Sequence, residues 1–342
     1  MVVDQLVADL HRAQVIASLV VSNPVPGGRA VLQELGEVVF LGLFLDQPVR
    51  HAGDCILSRV SDRTSQYERI AFEDLNYNSY LRVPDLLQLQ QLQSDPPHHD
   101  EMFFIIIHQS FELWFKQLLH ETDLLVRGFR KGSMSRVLKV IKRINAILAC
   151  LCDQIQLLHT LTPAEFAGFR ERLGTGSGFQ SVQFREMEFA YGIREEFFLQ
   201  FFENDPEAHQ RLQARADAPS VYDEFLQALH AAGYPVPERL LAGQRTSTHE
   251  LDEDLVSVLH ELYQEPEGNY HWILVCEALL DLDMLVSKWR QVHILMVSRT
   301  IGGQKGTGGS SGKAFLEQRV HHRFFPELWE VRNRFFHSPS AR

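Results

Sequence analysis

Cysteine is scarce in this chain of 342 residues. Cys55, Cys150, Cys152 and Cys276 are too few and too irregularly spaced for a disulfide framework. The Cys150–Cys152 pair has no companion pair to complete a zinc site. A reducing, cytoplasmic setting is therefore expected. An excess of basic charge is also missing: 33 Lys and Arg stand against 44 Asp and Glu, a formal net charge of -11. That balance provides no field to neutralise phosphates, so neither nucleic acid nor an anionic membrane surface is an expected partner. The longest apolar run near the start, VVFLGLFL at 38–45, falls far short of the roughly 20 residues a membrane span needs. It also lies too deep in the chain, behind acidic and proline-containing sequence, to read as a secretory signal. Internal repeats and low-complexity tracts are absent. From about residue 84 onward no segment alternates apolar and polar residues as a half-buried strand does.

What is there instead is helical periodicity, and the fold class read from it is all-α. Between 133 and 160, Val137, Val140, Ile141, Ile144, Ile147, Leu148, Leu151, Ile155 and Leu158 recur at three- and four-residue spacing. That spacing draws one apolar stripe along a helix. Thr162-Pro163-Ala164-Glu165 is a capping box with proline in the first turn, and it predicts a short helix ending at Gly174. A long helix is expected over 102–121, and others over 179–203, 220–232, 251–264, 269–300 and 313–323. Residues 1–65 lack a sustained period and are expected to form an N-terminal extension of unassigned role. The all-helical domain is expected over 66–342.

Three side chains and one loop could carry chemistry. His108 has Phe104, Ile105, Phe111, Glu112 and Phe115 as its helical neighbours, and His293 has Trp289, Met296 and Val297. A histidine on such an apolar face can be an axial ligand of haem iron, although a hydrogen-bonded core histidine has the same pattern. His98-His99 and His321-His322 diverge around a helix and make poor metal clamps. Arg170 shares a helix face with Phe166 and Leu173. A planar guanidinium between apolar groups suits a carboxylate on a flat molecule, while spacing alone favours a surface ion pair with Glu171 or Glu165. The run Gly306–Gly312 departs from the Walker pattern at Thr307 and at Ala314. It reads as a flexible loop of amides and hydroxyls.

Seven blocks, taken in order, resemble the tryptophan 2,3-dioxygenase family. They are LNYNSYLRVPDLL (75–87), HHDEMFFIIIHQSFELWFKQLLHE (98–121), LTPAEFAGFRERLG (161–174), SGFQSVQFREMEF (177–189), WRQVHILMVSRTIG (289–302), GTGGSSG (306–312) and FFPELWEVR (324–332). The resemblance implies a helical homotetramer with ferrous haem b in each subunit. It implies an activity that adds O2 to L-tryptophan and gives N-formylkynurenine. His293 would then be the proximal iron ligand, and His108 the distal histidine accepting the indole N–H. Arg170 would bind the substrate carboxylate, with Thr307 at the amino-acid end. Phe104, Phe166 and Leu173 would wall the indole, and Ser177 would lie beside the haem. Tyr77 and Tyr80 would reach into a neighbouring subunit's pocket. Ser110 and Phe111 stand where many members carry Thr and Tyr.

Overall fold

The computed structural model describes residues 74–242, 248–304, 306 and 313–336, the side chains of 313–315 apart. Contacts divide the chain after Leu81, and the two parts are taken separately. In the first, the Asn76 carboxamide accepts from the amides of Asn78 and Ser79 and opens the five-residue helix α1, Tyr77–Leu81. Tyr77 and Tyr80 on it are 75% and 73% exposed.

The second part begins with α2 (Val83–Leu86), α3 (His99–Arg130) and α4 (Met134–Gln154), the last continued by a 3-10 turn. There follow α5 (Pro163–Arg170), α6 (Val182–Ala190), α7 (Glu196–Phe201), α8 (Pro206–Asp217) and α9 (Val221–Ala231). It ends with α10 (Glu238–Leu241), α11 (Glu253–Gln264), α12 (Tyr270–Ile301), α13 (Lys313–Arg319) and α14 (Pro326–Phe336). No strand occurs among the described residues, as the periodicity requires. No single helix among them is long and apolar enough to cross a membrane.

The apolar stripe expected on α4 is buried, from Val137 to Cys152, because α4 lies between α3 and α12. Each such aliphatic side chain contributes about 1.5–3 kcal/mol on leaving water, so tertiary packing dominates over intrinsic helix propensity here. The core joins Leu118 and Leu125 of α3, Ile141 and Ile144 of α4, and Leu279 and Leu282 of α12. A smaller cluster of Phe189, Phe198, Phe202 and Leu212 ties α6 to α7 and α8.

Four expectations differ from what is observed, the simplest being that α13 stops at Arg319 and not at 323. The helix over 102–121 runs from 99 to 130, because the His98 imidazole accepts the Asp100 amide. Acidic residues in its first turn and Arg127 and Arg130 in its last also match the helix dipole. The single helix expected over 179–203 is broken in two. Ser181 caps α6, and Gly192 at φ +98° turns the chain where an added Cβ would meet the His249 ring at 2.8 Å. Helix α8 was not anticipated, since its buried face is only Ala208, Leu212 and Ala216 in otherwise polar sequence. Its start is nonetheless marked by Asp205, whose carboxylate accepts the Ala208 amide ahead of Pro206.

Candidate active site

The capping box predicted at Thr162 forms, with the Glu165 carboxylate taking the Thr162 amide at 2.7 Å and the Thr162 hydroxyl taking the Glu165 amide. It anchors the short helix α5 that carries Phe166 and, in its last turn, Arg170. Phe166, Arg170 and Leu173 turn one face toward α3 and α12, and there they border a cavity of about 270 Å³. That volume lies near the lower end of small-molecule sites, roughly 300–1,000 Å³. Phe104, His108 and Phe111 from α3 line the same space, as do Trp289 and His293 from α12.

His108 is held by its own helix. Its Nδ1 lies 2.8 Å from the Phe104 carbonyl oxygen, and a carbonyl only accepts, so the proton sits on Nδ1. In the neutral ring Nε2 is then a free acceptor. Burial holds the His108 pKa below the ordinary histidine value, although the Phe104 carbonyl and Glu112 act in the other direction. Phe104 lies against the imidazole at a centroid distance of 4.1 Å, and Phe111 meets it edge-on at 5.9 Å. Phe166 in turn packs 5.7 Å from Phe104. The result is an aromatic wall with one hydrogen-bond acceptor in it.

His293 has a different environment. Burial, then the charges of His108 and Arg185, push its pKa down to about 4, so the imidazole is neutral at physiological pH. No hydrogen bond to it occurs among the described residues, and Trp289 one turn earlier lies 6.3 Å away, ring to ring. A half-buried neutral imidazole with an uncommitted lone pair is the donor that haem iron takes as its single protein ligand. The residues present therefore fit such a group. Among the described residues no three His, Cys, Asp or Glu side chains gather into a metal cage, and an axially ligated haem does not need one.

The floor of the cavity is charged. Arg185, Glu188, Arg290 and Arg319 all border it. The Glu188 carboxylate receives Arg185 at 2.6 Å, Arg290 at 2.9 Å and Arg319 at 3.1 Å. Burial alone would raise the Glu188 pKa, but the three guanidiniums outweigh it and hold it at about 2. The Arg185 guanidinium also lies over Phe198, 4.2 Å from the ring centroid.

Comparison with known proteins now bears on this arrangement. The family model for tryptophan 2,3-dioxygenase matches residues 63–235 and 237–335. A tryptophan 2,3-dioxygenase of Arthrobacter sp. (strain FB24) is 43% identical over 277 residues, which is 80% of this chain and 98% of the relative. One from Xanthomonas euvesicatoria pv. vesicatoria (strain 85-10) is 42% identical over 258 residues, 75% of this chain and 87% of the relative. Another, from Myxococcus xanthus (strain DK1622), is 40% identical over 256 residues, 75% and 88% of the two chains. The chain belongs to the tryptophan 2,3-dioxygenase family. The all-α class expected from periodicity is the fold observed.

Of the residues singled out in the sequence, the structure of this family member brings His108, His293, Arg170, Phe104, Phe166, Leu173 and Ser177 to one cavity. Ser177 caps the turn at Gly178, its hydroxyl accepting the Phe179 amide. Thr307 lies outside the described residues, while its neighbour Gly306 borders the cavity. Tyr77 and Tyr80 belong to the first part of the chain and are not among the lining residues. The ion pairs of the cavity floor went unnoticed in the sequence. Their only local signal is Arg185 and Glu188, one helical turn apart on α6. Phe111, at a position noted for its departure from the family, is buried and meets Trp289 edge-on at 5.1 Å.

Proposed function

We propose that this chain cleaves the C2–C3 bond of the indole ring of L-tryptophan, incorporating both atoms of O2 and giving N-formylkynurenine, the first step of tryptophan catabolism by the kynurenine pathway. The observation that carries this reading is the convergence of two neutral, half-buried histidines and Arg170 on one aromatic cavity in a member of this family.

His293 is assigned as the proximal ligand of a haem b, with Ser177 beside the cofactor. When bound, ferrous haem supplies the dioxygen chemistry, and the protein supplies orientation and electrostatics. Arg170 presents a two-pronged donor to the substrate carboxylate, and Thr307 contacts the amino-acid end. Phe104, Phe166 and Leu173 wall the indole, a flat ring suited to a wall whose own rings already pack at tilted angles, 4.1 Å and 5.7 Å apart. His108 accepts the indole N–H on Nε2, the nitrogen that the Phe104 carbonyl leaves without a proton. That contact orients the ring and needs no proton transfer. Arg170 and His108 together fix two points of the substrate, a proximity effect that is expressed in the rate.

Tyr77 and Tyr80 are assigned to the pocket of a neighbouring copy in a homotetramer, and their exposure within one chain supports that reading. The protein is placed in the cytoplasm, consistent with its thiols: Cys152 and Cys276 are buried and free. The test is a single assay with isotopically labelled O2, reconstituted ferrous protein and L-tryptophan, the product being read by mass. Two labelled oxygen atoms in the product are expected. One atom, as in a monooxygenase, or unchanged tryptophan overturns the proposal.

A further inference from the structure

Among the described residues, the ion-pair cluster at the cavity floor holds more guanidiniums than carboxylates. Three guanidiniums, Arg185, Arg290 and Arg319, share two carboxylates, Glu188 and Glu195, the second reached by Arg319 at 2.8 Å. Arg185 and Glu188 are 5% and 1% exposed, so water does little to screen them. The cluster is also tied to the helix bearing His293. Arg290 lies one turn before that residue on α12 and is held by Glu188 and by the His322 carbonyl at 2.8 Å. Arg185 is packed against Phe198, Phe184 and Phe179, and its Nε–H has no hydrogen-bond partner. Arg185 and His293 border the same cavity.

A buried ion-pair cluster with more guanidiniums than carboxylates disfavours a further positive charge nearby. Ferric haem carries one more than ferrous haem, and net charge, burial and surroundings tune the potentials of such centres. We propose that Arg185, set against Glu188 beside the proximal histidine, is a positioning residue that biases the bound iron toward the ferrous state. The inference rests on the assignment of His293 as the iron ligand. The step concerned is the addition of one electron to ferric iron, and in the test that electron comes from a dithionite-reduced mediator dye.

The experiment is a redox titration of haem-loaded protein, following the ferric and ferrous absorption bands. Arg185→Met is expected to shift the ferrous-to-ferric ratio at fixed poise at least tenfold toward ferric, about 59 mV for one electron. Glu188→Gln keeps an acceptor oxygen but removes a negative charge, and it is expected to shift the ratio the other way. Arg185→Lys, which retains the charge, is expected to stay within a few-fold of the parent. Opposite shifts from two neighbouring substitutions are not what a loss of packing alone produces. If Arg185→Met does not hold haem, Glu188→Gln and Arg185→Lys still decide the matter. Potentials unchanged in variants that keep a histidine-ligated spectrum overturn the inference alone. A parent protein that takes up no haem overturns the cofactor assignment with it.

Discussion

The wall of the cavity built by α3 and α5 is mostly rings, with His108, Glu112 and Arg170 set among them, whereas the wall built by α6, α12 and α13 carries three arginines that converge on Glu188. Both are at least partly buried, yet they are held together by different physics. Phe104, Phe111 and Phe166 gain by leaving water, and their contacts are set by ring geometry. The charges of the other wall lose hydration and persist only because each finds a partner. Removing one member of such a set leaves the rest uncompensated, which is typically far worse than never having had them. A histidine sits in each wall. His108 has its Nδ1 proton committed to a backbone carbonyl. His293, beside Trp289 on the wall that carries the arginines, makes no hydrogen bond among the described residues. The same side chain is thereby suited to two tasks, an oriented acceptor in one wall and a metal donor in the other.

The largest effect that tests this contrast comes from His293→Ala. Loss of a partner outside the coordination shell already costs roughly 10- to 100-fold in metal affinity, so loss of the ligand itself is expected to exceed about 100-fold. Haem content after gel filtration measures it, and a full complement of normally ligated haem in the variant would remove His293 from its role.

Arg170→Leu probes the aromatic wall next. Without the two-pronged carboxylate contact the indole loses its register, and a misplacement on the order of 1 Å costs about 100-fold in rate. We expect kcat/KM to fall by that order, with haem content unchanged. Equal activity with L-tryptophan in parent and variant would make Arg170 a surface ion-pair residue only.

The smallest effect is expected from His108→Ser. A single net hydrogen bond contributes about 0.5–1.5 kcal/mol, so kcat/KM should drop roughly tenfold and not vanish. The pH dependence sharpens the point. Because burial lowers the His108 pKa below 6.5, Nε2 remains an acceptor at a pH where an ordinary histidine would already be protonated. It is lost only as pH falls through that lowered value, when the ring becomes a double donor. The parent should therefore keep its rate from neutral pH to below 6.5 and then decline, with no loss attributable to His108 on the alkaline side. In His108→Ser the acid limb should flatten, and a limb of unchanged shape would assign it to another group.

Much of this was legible in the sequence, and the reasons differ from residue to residue. The α4 stripe and the Thr162 capping box are local patterns, read within a few residues, and both form as expected. The break at Gly192 and the helix at 206–217 were not read. One depends on a left-handed glycine beside the His249 ring, the other on a buried face of small residues too narrow to stand out. His108 and His293 looked alike as residues on apolar helix faces, and only family resemblance set them apart beforehand.

The sequence by itself determined the helical class, the positions of most helices and the membership of a family, because periodicity, caps and motif order are properties of the chain read in one dimension. Tertiary structure alone decided which tautomer His108 adopts, that His293 is desolvated, and that Arg185, Arg290 and Arg319 converge on Glu188. Those facts depend on dehydration and on distances between residues up to 131 positions apart. Neither exists until α3, α6, α12 and α13 have packed around a common space.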